Sequence, residues 1–381
     1  MSAPKRPRPA PVGQARRVLI TTDAVGGVWT YSLDLARGLA ARGAEVKLMQ
    51  FGPHPSAAQR AAARRIPGLE LLETDLPLDW TAADEPALAA AAAGLAQAAE
   101  RLDVDLIHLN GPPLAARPLG RPVVGVCHSC LATWWAAVRT GDFPEEFQWR
   151  ARAYWRGLLN CDALAAPSAA FAEAIARAYD VPAPRVIHNG RARFSAEPSA
   201  DAPAVFTAGR LWDPGKDAAT FDAAAAALER LDFAAAGPLA GPSGEGVELT
   251  ACRWAGNLAQ DEVLARLANR PVFVSTALYE PFGLAVLEAA QAGCPLVLAD
   301  IPTFRELWGD CAVFFAPRDA RDLSAKVAAV AADPALARRL GEAARARAAS
   351  FTLEAMVEGV LGLYGELGCG LTGELRLEAA E

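Results

Sequence analysis

The 381-residue sequence contains no run of 18 to 20 apolar side chains, the length a helix needs to cross the hydrocarbon core of a bilayer. Its Ala-rich stretch, 87–98, is too short and carries a Gln. Positive charge is also in deficit: 37 Lys and Arg against 44 Asp and Glu leave a net charge of −7, which argues against nucleic acid as a partner because phosphate-backbone affinity needs a basic face. Any anion must then be held by a few placed cations. The basic, proline-rich start, MSAPKRPRPAPVGQARR, lacks the apolar core of a secretory signal and runs straight into VLITTDA. A disordered tail over 1–15 and a cytoplasmic location are expected.

Paired cysteines are missing as well. Seven cysteines are an odd number, scattered through the chain, which suits reduced thiols better than a disulfide framework. Cys127 and Cys130 form a CHSC box, yet no second CxxC and no His pair at zinc spacing accompanies it. A redox pair or half a metal site stands there against a blander reading, two small residues ending the buried strand VVGVC. Neither half of the chain carries GxGxxG with an acidic residue about twenty positions on, which an NAD-dependent oxidoreductase would need.

What is present is an apolar chain, 52% hydrophobic and 21% charged, long enough for two domains. From residue 16 short apolar runs alternate with amphipathic stretches, the pattern of βαβ units in a parallel sheet. Strands are predicted at 18–22, 46–51, 69–73, 105–109, 122–127, 163–166 and 185–188, with helices clearest at 30–42, 88–101 and 169–179. The polar stretch RFSAEPSADAP, 193–203, reads as a linker. The alternation restarts at 204–208 and continues through DFAAA, PVFVS, PLVLA and AVFFA, ending in helices at 320–349 and 352–367. The expectation is an α/β protein of two Rossmann-like parallel-sheet domains, 16–192 and 204–350, facing across a cleft, then a C-terminal helix at 351–368 and a tail at 369–381.

In open α/β sheets ligands sit beyond the carboxyl ends of the strands, and the notable residues cluster there. Gly26 and Gly27 occupy the first βα turn, where glycines let backbone N–H groups approach a phosphate or sugar; a turn needing positive φ explains them equally well. In AVFTAGRLWDPGKD, Arg210 follows the strand and Lys216 lies six residues on, at the expected start of a helix. A cation there opposes the helix macrodipole, so an anionic ligand accounts for it better than helix stability does. In STALYEPFGLAVLEAAQAG, Glu280 and Glu288 are separated by seven residues. Pro281 and Gly283 mark a turn into a helix, so the amides of Phe282, Gly283 and Leu284 point at an anion. Glu288 falls on the apolar face with Leu284 and Leu287 and needs hydroxyl or cationic partners; a buried structural ion pair is the alternative.

These segments, with DLIHLN, the strand ending in His128, APS at 166–168 and HNG at 188–190, resemble the family 4 retaining glycosyltransferases of the GT-B fold from about residue 17 to 367. The resemblance implies roles: Arg210 and Lys216 clamp the donor diphosphate, Glu288 binds the ribose hydroxyls, and Glu280 contacts the transferred sugar near the Phe282–Leu284 amides. It further implies that His128 touches the donor sugar at the reacting centre, that Gly26 and Gly27 line the cleft, and that the last helix returns to the first domain. Catalysis would rest on His128, Glu280, Arg210 and Lys216. No cofactor beyond the nucleotide-sugar co-substrate and no metal is implied. The family commonly has Asp two residues after its Asn-Gly, where this chain continues Arg191, Ala192.

Trp134 and Trp135, with Trp149 and Trp155 among Arg150, Arg152 and Arg156, crowd the middle of the first half. They read as an acceptor platform, since acceptors bind the first domain in this fold, or as core, or as a basic aromatic helix resting on a membrane. The acceptor would be a small molecule, a glycan or a lipid-linked molecule. The Asp pair in DVD, 103–105, mimics a metal-binding pair but leads into a strand. A silent nucleotide-sugar binder with the same clamp is the remaining rival.

Overall fold

A computed structural model describes residues 17–242 and 244–370; the tail expected at 1–15, and all but the first two residues of the tail expected at 369–381, lie outside them. The first sheet has seven strands, β1 (Arg17–Asp23), β2 (Glu45–Phe51), β3 (Leu69–Leu72), β4 (Leu106–Leu109), β5 (Val123–Val126), β6 (Ala163–Ala166) and β7 (Arg185–Val186). Their order is β3-β2-β1-β4-β5-β6-β7. The second has six, β8 (Val205–Ala208), β9 (Phe233–Ala236), β10 (Arg253–Gly256), β11 (Val272–Ser275), β12 (Leu296–Ala299) and β13 (Ala312–Phe315), in the order β10-β9-β8-β11-β12-β13. Both orders reverse beside their first strand, between β1 and β4 and between β8 and β11, the switch points where open sheets hold ligands.

The described residues divide into two compact units, one formed by those up to Leu131, by Pro144–Ala166 and by those from Met356, the other by those of Ala132–Phe143 and Pro167–Ala355. In the first, β1 pairs in parallel with β2 and β4, and Val18, Leu19 and Ile20 are fully buried. A strand covered on both faces reads as a continuous apolar run. Helices α1 (Gly27–Ala40), α2 (Ala57–Arg64), α3 (Glu85–Arg101), α4 (Leu131–Val138), α5 (Gln148–Asn160) and α6 (Ala169–Tyr179) follow along the chain, with α4 from Ala132 on and α6 counted in the second unit. The alanines of α3 allow close packing: Ala91, Ala98 and Ala99, with Leu88 and Leu95, join Leu19, Ile107 and Val123 in one core. The last helix, α13 (Leu353–Glu366), packs in this unit from Met356 on. Its Val357 meets the bare backbone of Gly38, where a Cβ would collide with the valine methyls. Its Glu358 pairs with Arg42, and the Tyr364 hydroxyl lies 2.8 Å from His108 Nδ1.

The second unit buries Phe206, Phe273, Phe304, Trp308 and Phe351 around β8, β11 and β12, each large side chain worth about 1.5–3 kcal/mol relative to exposure. Its further helices are α7 (Ala218–Ala227), α8 (Gln260–Leu267), α9 (Leu284–Ala292), α10 (Pro302–Trp308), α11 (Ala320–Ala332) and α12 (Pro334–Ala348). The single helix expected at 320–349 is therefore two. Asp333 accepts from Ala335 and Leu336 and Pro334 takes the first position, so a new helix starts there. Lys216 does not begin an α-helix: Pro214–Lys216 is a single 3-10 turn, capped by Asp213 on the Gly215 amide, and Asp217 at φ 49° precedes α7. Helices α2 and α4 and strand β10 are additional to the expected elements, and α5 carries the stretch read as a basic aromatic helix. No helix among the described residues is long and apolar enough to cross a membrane.

Candidate active site

In the second unit the loops after β8 and β11 are stitched together by their main chains. Leu278 and Tyr279 donate to the Gly215 carbonyl at 2.9 and 3.3 Å, and the Thr276 hydroxyl donates to the Lys216 carbonyl at 2.8 Å. That brings Lys216, 64 positions away in sequence, onto Glu280, whose Oε2 accepts from its ammonium. Both side chains are mostly buried, at 23% and 18% exposure, so each charge is stabilised chiefly by the other. Together with Thr207, Gly209, Thr276 and Val286 they line a cavity of about 410 Å³.

Arg210 lies between two lining residues, Gly209 and Leu211, but its own side chain turns to Asp213, Nη2 to Oδ2 at 2.9 Å. Asp213 is buried and also accepts from the Gly215 amide at 2.8 Å and from the Trp134 indole at 3.2 Å. One buried carboxylate thus fixes the turn that carries Lys216, and no motif or spacing marks it out. Trp134 is committed to Asp213 rather than displayed; Trp135 packs edge-on against Phe143.

Gly283 caps α9 at φ 92°, with no side chain capping the helix, so its first turn presents main-chain N–H groups. The turn is anchored by Phe282, buried and edge-on to Phe351 at 5.5 Å. Leu284 then begins the helix. Glu288, 5% exposed, pairs with Arg191 at 3.2 Å. The cationic partner its position demands is thus Arg191, the residue that follows Gly190 in the HNG loop. A main-chain bridge between Arg191 and Thr352 sets that arginine in place, and Gly190 beside it admits no side chain, since a Cβ there would collide with the Thr352 carbonyl. Ser168 of the APS segment caps α6 and donates to the Pro281 carbonyl at 2.7 Å, and His188 faces the Pro167 carbonyl at 2.9 Å.

The first unit has its own cavity, about 530 Å³, at the carboxyl ends of β1, β4 and β5, lined among others by Thr22, Asp23, Asp79, Trp80, Asn110 and His128. Asn110 donates its amide to the Thr21 carbonyl at 2.6 Å and to Ser32 Oγ at 2.9 Å, so its Oδ1 faces His128 Nε2 at 2.9 Å. The imidazole must donate there, which makes Nδ1 its acceptor. Burial pushes His128 down to about 3, leaving it neutral. Burial, then repulsion from Asp23, pushes the Asp79 carboxyl up to about 6, against main-chain hydrogen bonds and the pull of Arg150. Gly26 caps α1 in an extended conformation, φ −161°, so positive φ is not why glycine stands there; Gly27 is the first helical residue.

The remaining candidates have structural partners. Cys127 and Cys130 are buried, and burial pushes the Cys127 thiol up to about 12. Asp103 pairs with Arg17 and Arg121, and Asp105 accepts from the Arg17 amide.

Two family profiles match this chain: Glycosyltransferase Family 4 over residues 25–191 and Glycosyl transferases group 1 over residues 247–347. A glycogen synthase of Mycobacterium tuberculosis is 45% identical over 104 residues, which are 27% of this chain and 25% of that protein. This chain thus matches only about a quarter of that relative's length. An MMP alpha-(1->4)-mannosyltransferase of Mycolicibacterium hassiacum is 26% identical over 85% of this chain and 90% of its own. Among solved structures, sucrose-phosphate synthase from Thermosynechococcus elongatus superposes with a TM-score of 0.74 at 21% identity, covering 92% of this chain and 99% of the other. Anabaena HepE in complex with UDP-glucose gives 0.70 at 21% identity, with 92% and 99% covered. The two sheets have the architecture of these structures. With one profile on each half, in chain order, the chain carries a family 4 glycosyltransferase domain followed by a glycosyl transferases group 1 domain and has the GT-B fold.

Proposed function

We propose that this protein moves a sugar from a nucleoside diphosphate sugar to an acceptor hydroxyl, retaining the donor's anomeric configuration and using no divalent metal. The observation that carries the reading is the Lys216–Glu280 pair in the second-unit cavity, between the turn after β8 and the amino end of α9. Breaking the bond between sugar and diphosphate throws negative charge onto phosphate oxygens, and positive charge must already be in place there. Lys216 supplies a point charge and Arg210 a planar fork for two oxygens. Arg210 exchanges Asp213 for phosphate when the donor binds. The main-chain N–H groups of Phe282, Gly283 and Leu284 add partial charge at the helix start.

Glu280 holds the ammonium with Oε2, and Oε1 is assigned to a hydroxyl of the transferred sugar. His128, neutral at physiological pH, serves as a hydrogen-bonding group at the reacting carbon and not as an acid. Glu288, neutralised by Arg191, is assigned to the ribose. The similarity to a structure holding UDP-glucose supports a nucleotide-sugar donor, and the names of the two curated relatives support a hexosyl group.

Thermal unfolding against UDP, GDP, ADP and their common sugars identifies the donor, since a ligand at 100 times its dissociation constant adds about 2.7 kcal/mol. With that donor, turnover should survive EDTA and proton NMR of fresh product should give the donor's own anomer. Loss in EDTA with recovery on magnesium, or an inverted product, overturns the mechanism. Donor binding without hydrolysis or transfer would favour the silent binder.

A further inference from the structure

We propose that the first-unit cavity holds the acceptor and selects a neutral, hydroxyl-rich molecule, a sugar or cyclic polyol without phosphate. The proposal rests on the glycosyltransferase reading and adds the charge class of its second substrate.

Charge around the cavity is one-sided. Among the described residues no Lys or Arg lines it, while two carboxylates do, Asp23 and Asp79. His128 is neutral and already donates through Nε2 to Asn110, so its remaining ring nitrogen accepts. Asn110 commits both amide hydrogens to the Thr21 carbonyl and Ser32, and the Thr22 hydroxyl donates to the Asp23 carbonyl at 3.3 Å. The nearby guanidinium, Arg150, donates to the Asp79 carbonyl at 3.3 Å and lies over Trp149 at 4.6 Å, so it supports the loop and leaves the cavity's charge negative.

These side chains therefore offer a ligand two carboxylates and further acceptors, beside the donors of the Trp80 indole and the Ser129 hydroxyl. A hydroxyl is a donor and satisfies them; a phosphate is acceptors only and carries like charge. Trp80 adds an aromatic wall of the kind that takes the apolar face of a sugar ring. Asp23 and His128 stand at the ends of β1 and β5, at the switch point of the sheet.

Saturation-transfer NMR on the full chain without donor tests this directly, using glucose, mannose, maltose and myo-inositol beside their monophosphates. Neutral compounds should bind, each phosphate at least a hundredfold more weakly. Asp79→Asn should weaken the best neutral ligand tenfold or more and narrow its margin over the phosphate, an effect that a merely structural aspartate would not produce. Trp80→Ala should weaken both members of a pair equally. Phosphates binding as well as their parents, no neutral compound binding, or Asp79→Asn leaving the margin unchanged overturns the proposal. Nucleotide-dependent thermal stabilisation, read on the same samples, reports the donor reading separately, so either failure is recognised alone.

Discussion

The two cavities lie at equivalent places, the switch points of two parallel sheets, and are furnished in opposite ways. Around the first, carboxylates stand among acceptors, and burial raises Asp79 to about 6. Around the second, every functional charge has a counter-charge: Lys216 on Glu280, Arg210 on Asp213, Arg191 on Glu288. A site built to receive neutral hydroxyls tolerates an excess of acceptors until they arrive. A site built to receive a diphosphate keeps its cations mutually held beforehand, because an uncompensated buried charge costs more than its pair.

This contrast bears most heavily on Lys216. Lys216→Ala removes a preorganised positive group and strands Glu280, and turnover should fall about a hundredfold, the scale of losing one such donor. Donor affinity falls less, because the charge to be neutralised grows as the bond breaks. Steady-state kinetics with the identified donor provide the check. Near-normal turnover would mean that the phosphate site lies elsewhere.

Two aspartates whose carboxyls are shifted in opposite directions give effects of opposite sign. Asp222 in the second unit would be raised by burial, yet hydrogen bonds from Cys252, Thr250 and Ala251 hold it at about 2. A depressed carboxyl contributes stability above its unfolded pKa of about 3.9 and loses it as pH falls through the folded value, so Asp222→Asn should cost about 2–3 kcal/mol at pH 7, narrowing toward pH 2.

Asp79 in the first unit is raised to about 6. Its penalty is absent below pH 4 and complete above pH 6, so Asp79→Asn should stabilise the protein by about 2 kcal/mol at pH 8 and by nothing at pH 4. Urea unfolding of both variants across pH gives the two slopes. Equal signs would mean that main-chain hydrogen bonds on Asp222 and desolvation of Asp79 do not set the two carboxyls apart.

Much of the fold is legible in the sequence alone. The strands buried on both faces, β1, β5, β11 and β12, announce themselves as unbroken apolar runs, and the Gly-Lys turn and the Glu280–Glu288 segment stand out by residue type. Their partners do not. Arg191 reaches Glu288 only because a bridge to Thr352 fixes its backbone, a contact across 161 positions of chain with no periodic trace. Asp79 and Trp80 sit in LPLDWTAAD, an irregular segment with no helical or strand period, and Asp23 is masked by the glycine loop that follows it. The arginines spaced through α5 blur its apolar stripe, and α4 is apolar nearly all round, which leaves no amphipathic stripe to detect.

Trp134 should show the mildest loss, and it separates a display surface from a positioning role. The Trp134 indole donates to Asp213 Oδ1, the same oxygen that takes the Gly215 amide, while Oδ2 takes Arg210. Neighbouring Thr133 bonds the Tyr279 hydroxyl at 2.9 Å, which fixes α4 beside the loop after β11. Removing the indole N–H with Trp134→Phe leaves Asp213 two of its three donors, so the stability loss should be about 1 kcal/mol, the net worth of one such bond. Arg210 and the Lys216 turn would still be held, less firmly, and turnover should fall severalfold with the acceptor KM unchanged. Because the indole acts through Asp213, the losses from Trp134→Phe and Asp213→Asn should not add in the double variant. Additive losses, or a rise in acceptor KM with turnover intact, would return Trp134 to the acceptor and would place a second contact surface outside the acidic cavity.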